Sequence, residues 1–131
     1  MITEPVNRIL FVEDDPCIQA VAEIALATVG GFTVRVCSGG REALSVVEGF
    51  APDLILLDVM MPDLDGPATL REMRAEGRGP RVPVVFLTAR VQAEEVARYK
   101  EMGAIDVIAK PFDPMTLASR IREIWRNRHD Q

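Results

Sequence analysis

Leu-Ile-Leu-Leu-Asp at residues 54–58 is the stretch that decides the fold. Four consecutive apolar residues place apolar side chains on both faces of an extended strand, and only the last residue is charged. A strand that is buried on both faces is typical of a parallel sheet covered by helices on each side. Pro52-Asp53 precedes the strand, and the turn-forming stretch 61–66 follows it. The stretch therefore predicts an internal strand of an α/β protein.

The same alternation of a short apolar strand and an amphipathic helix continues in both directions along the chain. Asp15-Pro16 and Asp113-Pro114 are typical helix starts, with an aspartate as N-cap and a proline in the first turn. Repeated strand–helix units predict a doubly wound parallel sheet with right-handed crossovers. Five units are expected, with strands at 8–12, 32–36, 54–58, 82–87 and 105–109, and with helices at 16–29, 40–48, from about 66 to 77, 91–102 and from 114 to about 125.

Length, charge and cysteine content exclude several classes of protein. A chain of 131 residues with 48% hydrophobic and 27% charged residues predicts one domain over residues 1–131, with no output domain. The net charge of −5 argues against nucleic acid or an anionic membrane as a partner, because both favour clustered Lys and Arg. Residues 1–8 lack the pattern of a secretory signal, and Cys17 and Cys37 have no metal-ligand spacing. We therefore expect a cytoplasmic location, with His129 in a solvated tail.

Charged and polar residues stand at the carboxyl ends of four predicted strands. Glu13 and Asp14 follow the first strand, Asp58 ends the third, Thr88 follows the fourth and Lys110 follows the fifth. In an open doubly wound sheet the ligand binds at this edge. Clustered carboxylates repel one another unless a cation neutralises them, and a hard divalent ion such as Mg²⁺ prefers oxygen ligands. An aspartate nucleophile, a cation and a lysine are the groups that phosphoryl transfer needs.

Four motifs at these strand ends carry a family resemblance. Residues 9–16 (ILFVEDDP), 56–66 (LLDVMMPDLDG), 86–89 (FLTA) and 109–112 (AKPF) resemble the receiver domain of two-component response regulators. Each motif alone is weak, whereas all four in this order are specific, and the resemblance covers about residues 6–127. It implies a flavodoxin-like fold, a (βα)5 parallel sheet of five strands in the order 2-1-3-4-5.

The resemblance also implies a role for each site residue. Asp58 would accept a phosphoryl group from a sensor histidine kinase or a histidine phosphotransfer protein. Asp14 would bind Mg²⁺ directly and Glu13 mainly through water, while Asp58 and the backbone carbonyl of Met60 complete the protein ligands. Mn²⁺ is the alternative ion. Lys110 would pair with Asp58 and then with the phosphoryl group.

The resemblance further implies that the Thr88 hydroxyl and the Ala89 amide contact the phosphoryl group, and that the bond before Pro111 is cis. The chain departs from the family pattern at Val107, where the family usually has an aromatic switch residue. Met60 and Arg90 occupy the two positions that tune phosphoryl lifetime in the family. Met60 offers no acid or amide to orient water, and Arg90 could cover the site, so we expect slow self-dephosphorylation.

Simpler interpretations apply to several other residues. Asp15 is expected only to cap a helix, and Asp63 and Asp65 are expected to form a turn. The helical spacing of Trp125 predicts a core position. The sequence leaves two alternatives for Tyr99, a position in the core or a position on the surface that contacts partners.

The competing functions require different residues at one or two positions of the site. A phosphorylation switch acting through protein contacts is the main hypothesis, and its downstream target would dock on the face formed by the fourth helix, fifth strand and fifth helix of a monomer or weak dimer. A shuttle that passes the phosphoryl group to a histidine is the alternative.

An aspartate-nucleophile phosphatase would carry an acid two residues after Asp58, where this chain has Met60. A flavin-binding module would need a Ser/Thr-rich loop where this chain has acids. We therefore expect a phosphoacceptor, not an enzyme.

Overall fold

One parallel sheet forms the centre of the protein, and the computed structural model describes residues 5–75 and 82–128. All neighbouring strands are parallel. The predicted flavodoxin-like architecture and its strand order 2-1-3-4-5 are confirmed. The strands are β1 (Arg8–Val12), β2 (Thr33–Cys37), β3 (Leu54–Asp58), β4 (Val84–Thr88) and β5 (Asp106–Ala109).

Helices cover both faces of the sheet. They are α1 (Pro16–Glu23), α2 (Gly40–Phe50), α3 (Gly66–Ala75), α4 (Ala93–Glu101) and α5 (Leu117–Asn127). Buried residues of α1 and α5 pack in one apolar cluster, and those of α2, α3 and α4 pack in the other. None of the helices within 5–75 and 82–128 combines the length and apolarity that crossing a membrane requires.

The central position of β3 in the sheet explains why its sequence is apolar on both faces, without alternation. Leu54 and Leu56 belong to the cluster under α1 and α5, whereas Ile55 and Leu57 belong to the opposite cluster. All four side chains are fully buried, because the strand lies between β1 and β4 with helices on both faces. Burial of side chains of this size contributes about 1.5–3 kcal/mol each, so β3 is a principal source of stability.

The structure moves several predicted boundaries. Helix α1 continues as a π-helical segment, Ile24–Val29, which an apolar repeat of helical period does not distinguish from an α-helix. Helix α5 begins at Leu117, after a turn in which the Asp113 side chain accepts the N–H of Met115. Asp15 caps α1 as predicted, by accepting the N–H groups of Cys17 and Ile18. Gly77 and His129 lie outside the described residues.

Trp125 and Tyr99 both lie in the core. Trp125 is buried beside β1 and β3, as its spacing predicts, and the guanidinium of Arg128 lies 3.5 Å from its ring centroid. Tyr99 is also buried, with its ring 5.2 Å from that of Phe86 in an edge-to-face arrangement. Tyr99 therefore contributes to packing between α4 and the sheet.

Candidate functional site

Three side chains from three different strands meet at the carboxyl edge of the sheet. The Nζ of Lys110 donates to Asp58 Oδ1 at 2.8 Å and to Glu13 Oε1 at 3.1 Å. Only 1% of the surface of Glu13 and 1% of that of Asp58 is exposed. The predicted convergence of these residues is confirmed, and it follows from the order of the strands, which places β1, β3 and the end of β5 around one edge.

Backbone hydrogen bonds hold these side chains in place beyond the ends of the strands. The N–H of Glu13 donates to Cys37 O at 3.0 Å, and the N–H of Lys110 donates to Thr88 O at 2.9 Å. The peptide bond between Lys110 and Pro111 is cis, as the resemblance implied. The backbone hydrogen bonds of Glu13 and Lys110 continue the hydrogen bonding of the sheet one residue past β1 and β5, so these site residues share the rigidity of the sheet.

Burial and charge act in opposite directions on the site carboxylates. Burial raises the pKa of Asp58, the hydrogen bond from Lys110 lowers it, the charge of Asp14 raises it and the backbone N–H of Met60 lowers it, with burial dominant. Burial likewise raises the pKa of Glu13 against the opposing bonds from Asp15 and Lys110. Burial alone would lower the pKa of Lys110, but its bonds to Asp58 and Glu13 raise it. The site is thus a negatively charged pocket that one lysine only partly neutralises.

The remaining negative charge fits a divalent cation. Glu13, Asp14 and Asp58 each present one carboxylate oxygen within 4.8 Å of the others. Asp14 is exposed, whereas the other two are buried, so an ion would be reached from the solvent side. These donors are all oxygens, which are the ligands that Mg²⁺ and Mn²⁺ prefer.

Thr88 and Ala89 lie at the end of β4, on the same edge. Thr88 is buried, and its Oγ1 accepts the N–H of Arg90 at 3.0 Å, which leaves the hydroxyl proton available to a further acceptor. Ala89 is exposed. Arg90 pairs with Glu95 at 3.4 Å, and 76% of its side chain is exposed. The Arg90 side chain therefore bonds to Glu95 on α4, and this bond does not involve a site carboxylate.

Two residues near the site have contacts that sequence patterns do not predict. Gln19 on α1 donates through Nε2 to the backbone carbonyl of Glu13 at 2.6 Å and to Ser38 Oγ at 3.1 Å. Asp63 accepts the N–H groups of Gly40 and Arg41, so it caps α2 from the loop after β3. Asp63 thus caps a distant helix in addition to the turn that the sequence predicts for it.

The Gln19–Ser38 and Asp63–Gly40 contacts have no local sequence signal, because their partners lie 19 and 23 residues apart. The pair of glycines at 39 and 40 is the one available hint, since a Cβ on Gly39 would lie 2.7 Å from Asp63 Oδ2. Glycine at position 39 is favoured by space and not by backbone conformation, because its φ of −173° is ordinary extended backbone and a Cβ there would displace the Asp63 carboxylate.

Comparison with known proteins identifies the family. Residues 9–122 match the model of the response regulator receiver domain. The chain belongs to this family. A receiver domain is a phosphorylation-activated switch that binds Mg²⁺ at its acidic pocket and that is generally not an enzyme. In this receiver Glu13, Asp14 and Asp58 form an acidic group with the ligand atoms for such an ion.

Individual relatives agree with this assignment. The receiver is 39% identical to the DNA-binding response regulator MtrA of Mycolicibacterium smegmatis over 95% of this chain and 53% of that protein. It is 41% identical to the transcriptional regulatory protein CseB of Streptomyces avermitilis over 92% of this chain and 49% of that protein. The chain thus spans about half the length of these curated relatives.

Solved structures show the same fold. The receiver superposes on the chemotaxis response regulator CheY4 of Vibrio cholerae with a TM-score of 0.82, at 28% identity, over 91% of this chain and 98% of that chain. A putative response regulator from Chloroflexus aurantiacus gives a TM-score of 0.78 at 31% identity, over 95% of this chain and 100% of that chain.

These relatives overturn one expectation from composition. The acidic net charge predicted that nucleic acid is not a partner, yet MtrA, a relative of this receiver, is a DNA-binding response regulator. That prediction is wrong because the charge of a receiver domain does not determine what the regulator containing it binds. The single-domain organisation of residues 1–131 without an output domain stays a prediction.

Proposed function

We propose that Asp58 is the phosphoacceptor of this receiver. The observation that carries the proposal is the position of its carboxylate, which is buried at the end of β3 and lies 2.8 Å from Lys110 Nζ. Burial leaves the carboxylate poorly solvated, which raises its pKa, and the adjacent Asp14 and Glu13 supply oxygen ligands for a cation. An aspartate in these surroundings is suited to nucleophilic attack on phosphorus.

The donor in this proposal is a phosphohistidine of a sensor histidine kinase or of a histidine phosphotransfer protein. A carboxylate oxygen of Asp58 forms the new P–O bond while the P–N bond to the imidazole breaks. The imidazole nitrogen keeps the electron pair of the broken bond and takes up a proton. Transfer of this kind depends mainly on in-line positioning and charge stabilisation.

The residues around Asp58 bind either the cation or the phosphoryl group in this proposal. Glu13, Asp14, Asp58 and the Met60 carbonyl would hold Mg²⁺, which when bound supplies positive charge opposite the phosphoryl oxygens. Lys110 moves from the carboxylate to a phosphoryl oxygen, which a lysine can bind as a compact positive charge. Thr88 donates its free hydroxyl proton, and the Ala89 N–H donates from the same loop. Support comes from the short Lys110–Asp58 bond and from the placement of Thr88 at the same edge.

The phosphorylated form should be long-lived. The side chain of Met60 carries no group that can activate water, and Met60 is 77% exposed beside the site. The Met60 side chain also counts against an aspartate-nucleophile phosphatase, which needs an acid at that position. A phosphoryl half-life of seconds would contradict this part of the proposal.

Labelling by a small phosphodonor tests the whole assignment. The receiver is incubated with acetyl phosphate and Mg²⁺, and its intact mass is compared with that of Asp58→Asn and of Asp113→Asn, an exposed control. We expect one added phosphoryl group in the native protein and in Asp113→Asn, and none in Asp58→Asn or in the native protein with Mg²⁺ chelated. Labelling of Asp58→Asn would refute the assignment.

The same labelled protein separates a switch from a shuttle. Incubation with a histidine phosphotransfer protein should leave the label on the receiver if the receiver is a terminal switch. Transfer of the label to the histidine would instead establish the shuttle.

A further inference from the structure

The turn between β2 and α2 is connected to the loop after β1 through Gln19 and to the loop after β3 through Asp63. We propose that this turn, Ser38–Gly40, is a clasp that sets the spacing of the cation ligands, with Gln19 and Asp63 as its positioning residues. The inference rests on the proposed cation site. It concerns residues that bind no phosphoryl group and no cation themselves.

The first half of the clasp joins the turn to the loop after β1. One amide nitrogen of Gln19 donates both to the Glu13 carbonyl at 2.6 Å and to Ser38 Oγ at 3.1 Å. Ser38 is itself held, because its N–H donates to Glu42 Oε1 at 2.8 Å. The backbone that carries Glu13 and Asp14 is therefore tied through Gln19 to the start of α2.

The second half joins the turn to the loop after β3. The carboxylate of Asp63 accepts the N–H of Leu64 at 2.7 Å, that of Arg41 at 3.2 Å and that of Gly40 at 3.4 Å. The absence of a Cβ on Gly39 permits this approach. These bonds outweigh burial and lower the pKa of Asp63, so its carboxylate is ionised as it caps α2. The loop that follows Asp58 and Met60 is thus tied to the same turn.

The two halves act in series between the two ligand loops. Glu13 and Asp14 belong to one loop, while Asp58 ends β3 immediately before the other. Mg²⁺ demands near-ideal octahedral geometry, so a change in the distance between the loops changes its affinity. Loss of either half removes the side-chain connection that the clasp makes between the loops, although the backbone bond from Glu13 N–H to Cys37 O remains. Loss of the second half then has no further effect on that connection.

The series arrangement leads to a double-mutant test of cation affinity. Mn²⁺ alone is the probe, with the free-ion signal in electron paramagnetic resonance measuring unbound metal and Mg²⁺ added as competitor. We expect Gln19→Ala and Asp63→Ala each to raise the Mn²⁺ Kd by about tenfold, the lower end of the effect of removing an outer-shell partner. The double variant should have the Kd of the weaker single variant and not their product.

Matched variants separate positioning from general loss of structure. Ser38→Ala should match Gln19→Ala, Asp63→Asn should retain most affinity because its amide oxygen still accepts N–H groups, and Gln92→Ala, whose side chain caps nothing, should match the native protein. Labelling by acetyl phosphate at saturating Mg²⁺ should proceed at the native rate in all of them. Urea unfolding should show additive losses for Gln19→Ala and Asp63→Ala, unlike the Kd.

Two results would overturn the clasp and leave the proposed function standing. One is native Mn²⁺ affinity in both single variants while the native receiver binds the ion normally. The other is a double variant whose Kd rises by the product of the single effects. Failure of the native receiver to bind Mn²⁺ would instead overturn the cation site itself, and the clasp with it.

Discussion

The Nζ of Lys110 lies 2.8 Å from Oδ1 of Asp58, although 52 residues separate them along the chain. The same ammonium group also bonds to Glu13, so the positive charge of Lys110 compensates two buried carboxylates. Removal of a single partner from a buried ion pair leaves an uncompensated charge, which is more destabilising than the pair is stabilising. Lys110 is therefore expected to support the folded state as well as the chemistry.

Replacement of Lys110 by methionine should lower the free energy of unfolding at pH 7 by about 1–3 kcal/mol, the penalty for leaving a buried polar group unsatisfied. Urea unfolding with divalent ions chelated measures the change. Lys100→Met on the exposed surface of α4 is the control and should be close to neutral. Equal stability of the two variants would show that Lys110 does not compensate the carboxylates.

Asp14→Asn should have the opposite effect on stability. Its charge raises the pKa of Asp58, so the carboxylates repel one another in the folded protein. Removing the charge should raise the free energy of unfolding in chelator, while the increase in Tm that Mg²⁺ produces in the native protein should disappear. Thermal unfolding with and without Mg²⁺ measures both. A native-sized Mg²⁺ response in Asp14→Asn would exclude this residue as a ligand.

Cys37 should make stability depend on alkaline pH. Burial, with a smaller effect of Glu42, raises the pKa of its thiol from 9.0 to about 11. Between these values the unfolded chain releases the proton and the folded protein keeps it, so the free energy of unfolding falls as pH rises. The loss should reach about 2 kcal/mol at the upper end of the window.

Cys37→Ala lacks the thiol and should lose that part of the alkaline slope. Urea unfolding at a series of pH values between 9.0 and about 11 compares the two slopes. Parallel curves for the native protein and Cys37→Ala would contradict the raised pKa.

Tyr99→Ala should destabilise the receiver by about 3–5 kcal/mol, because it removes a large buried ring from the cluster beneath α4. Tyr99→Phe keeps the edge-to-face contact with Phe86 and should have a much smaller effect. Chemical denaturation of both variants separates the contribution of the ring from that of the hydroxyl. A small loss in Tyr99→Ala would place the ring outside the core.

The local pattern of the sequence determined the five strands, the positions of most helices and the residues at the strand ends. This succeeded because the apolar period of a strand or helix and the chemistry of caps depend on near neighbours. Glu13, Asp58 and Lys110 could be placed together because parallel strands expose their carboxyl ends at one edge. The family motifs added the strand order, which local periodicity does not contain.

Only the tertiary structure decided the contacts between distant loops. The cap that Asp63 provides to α2, the bond from Gln19 to Ser38 and the sharing of Lys110 by two carboxylates join residues 19 to 97 positions apart. Burial of Tyr99 likewise depends on how α4 lies against Phe86. Such contacts carry no periodic signal, because their free energy arises from the packing of whole elements and not from the residues beside them.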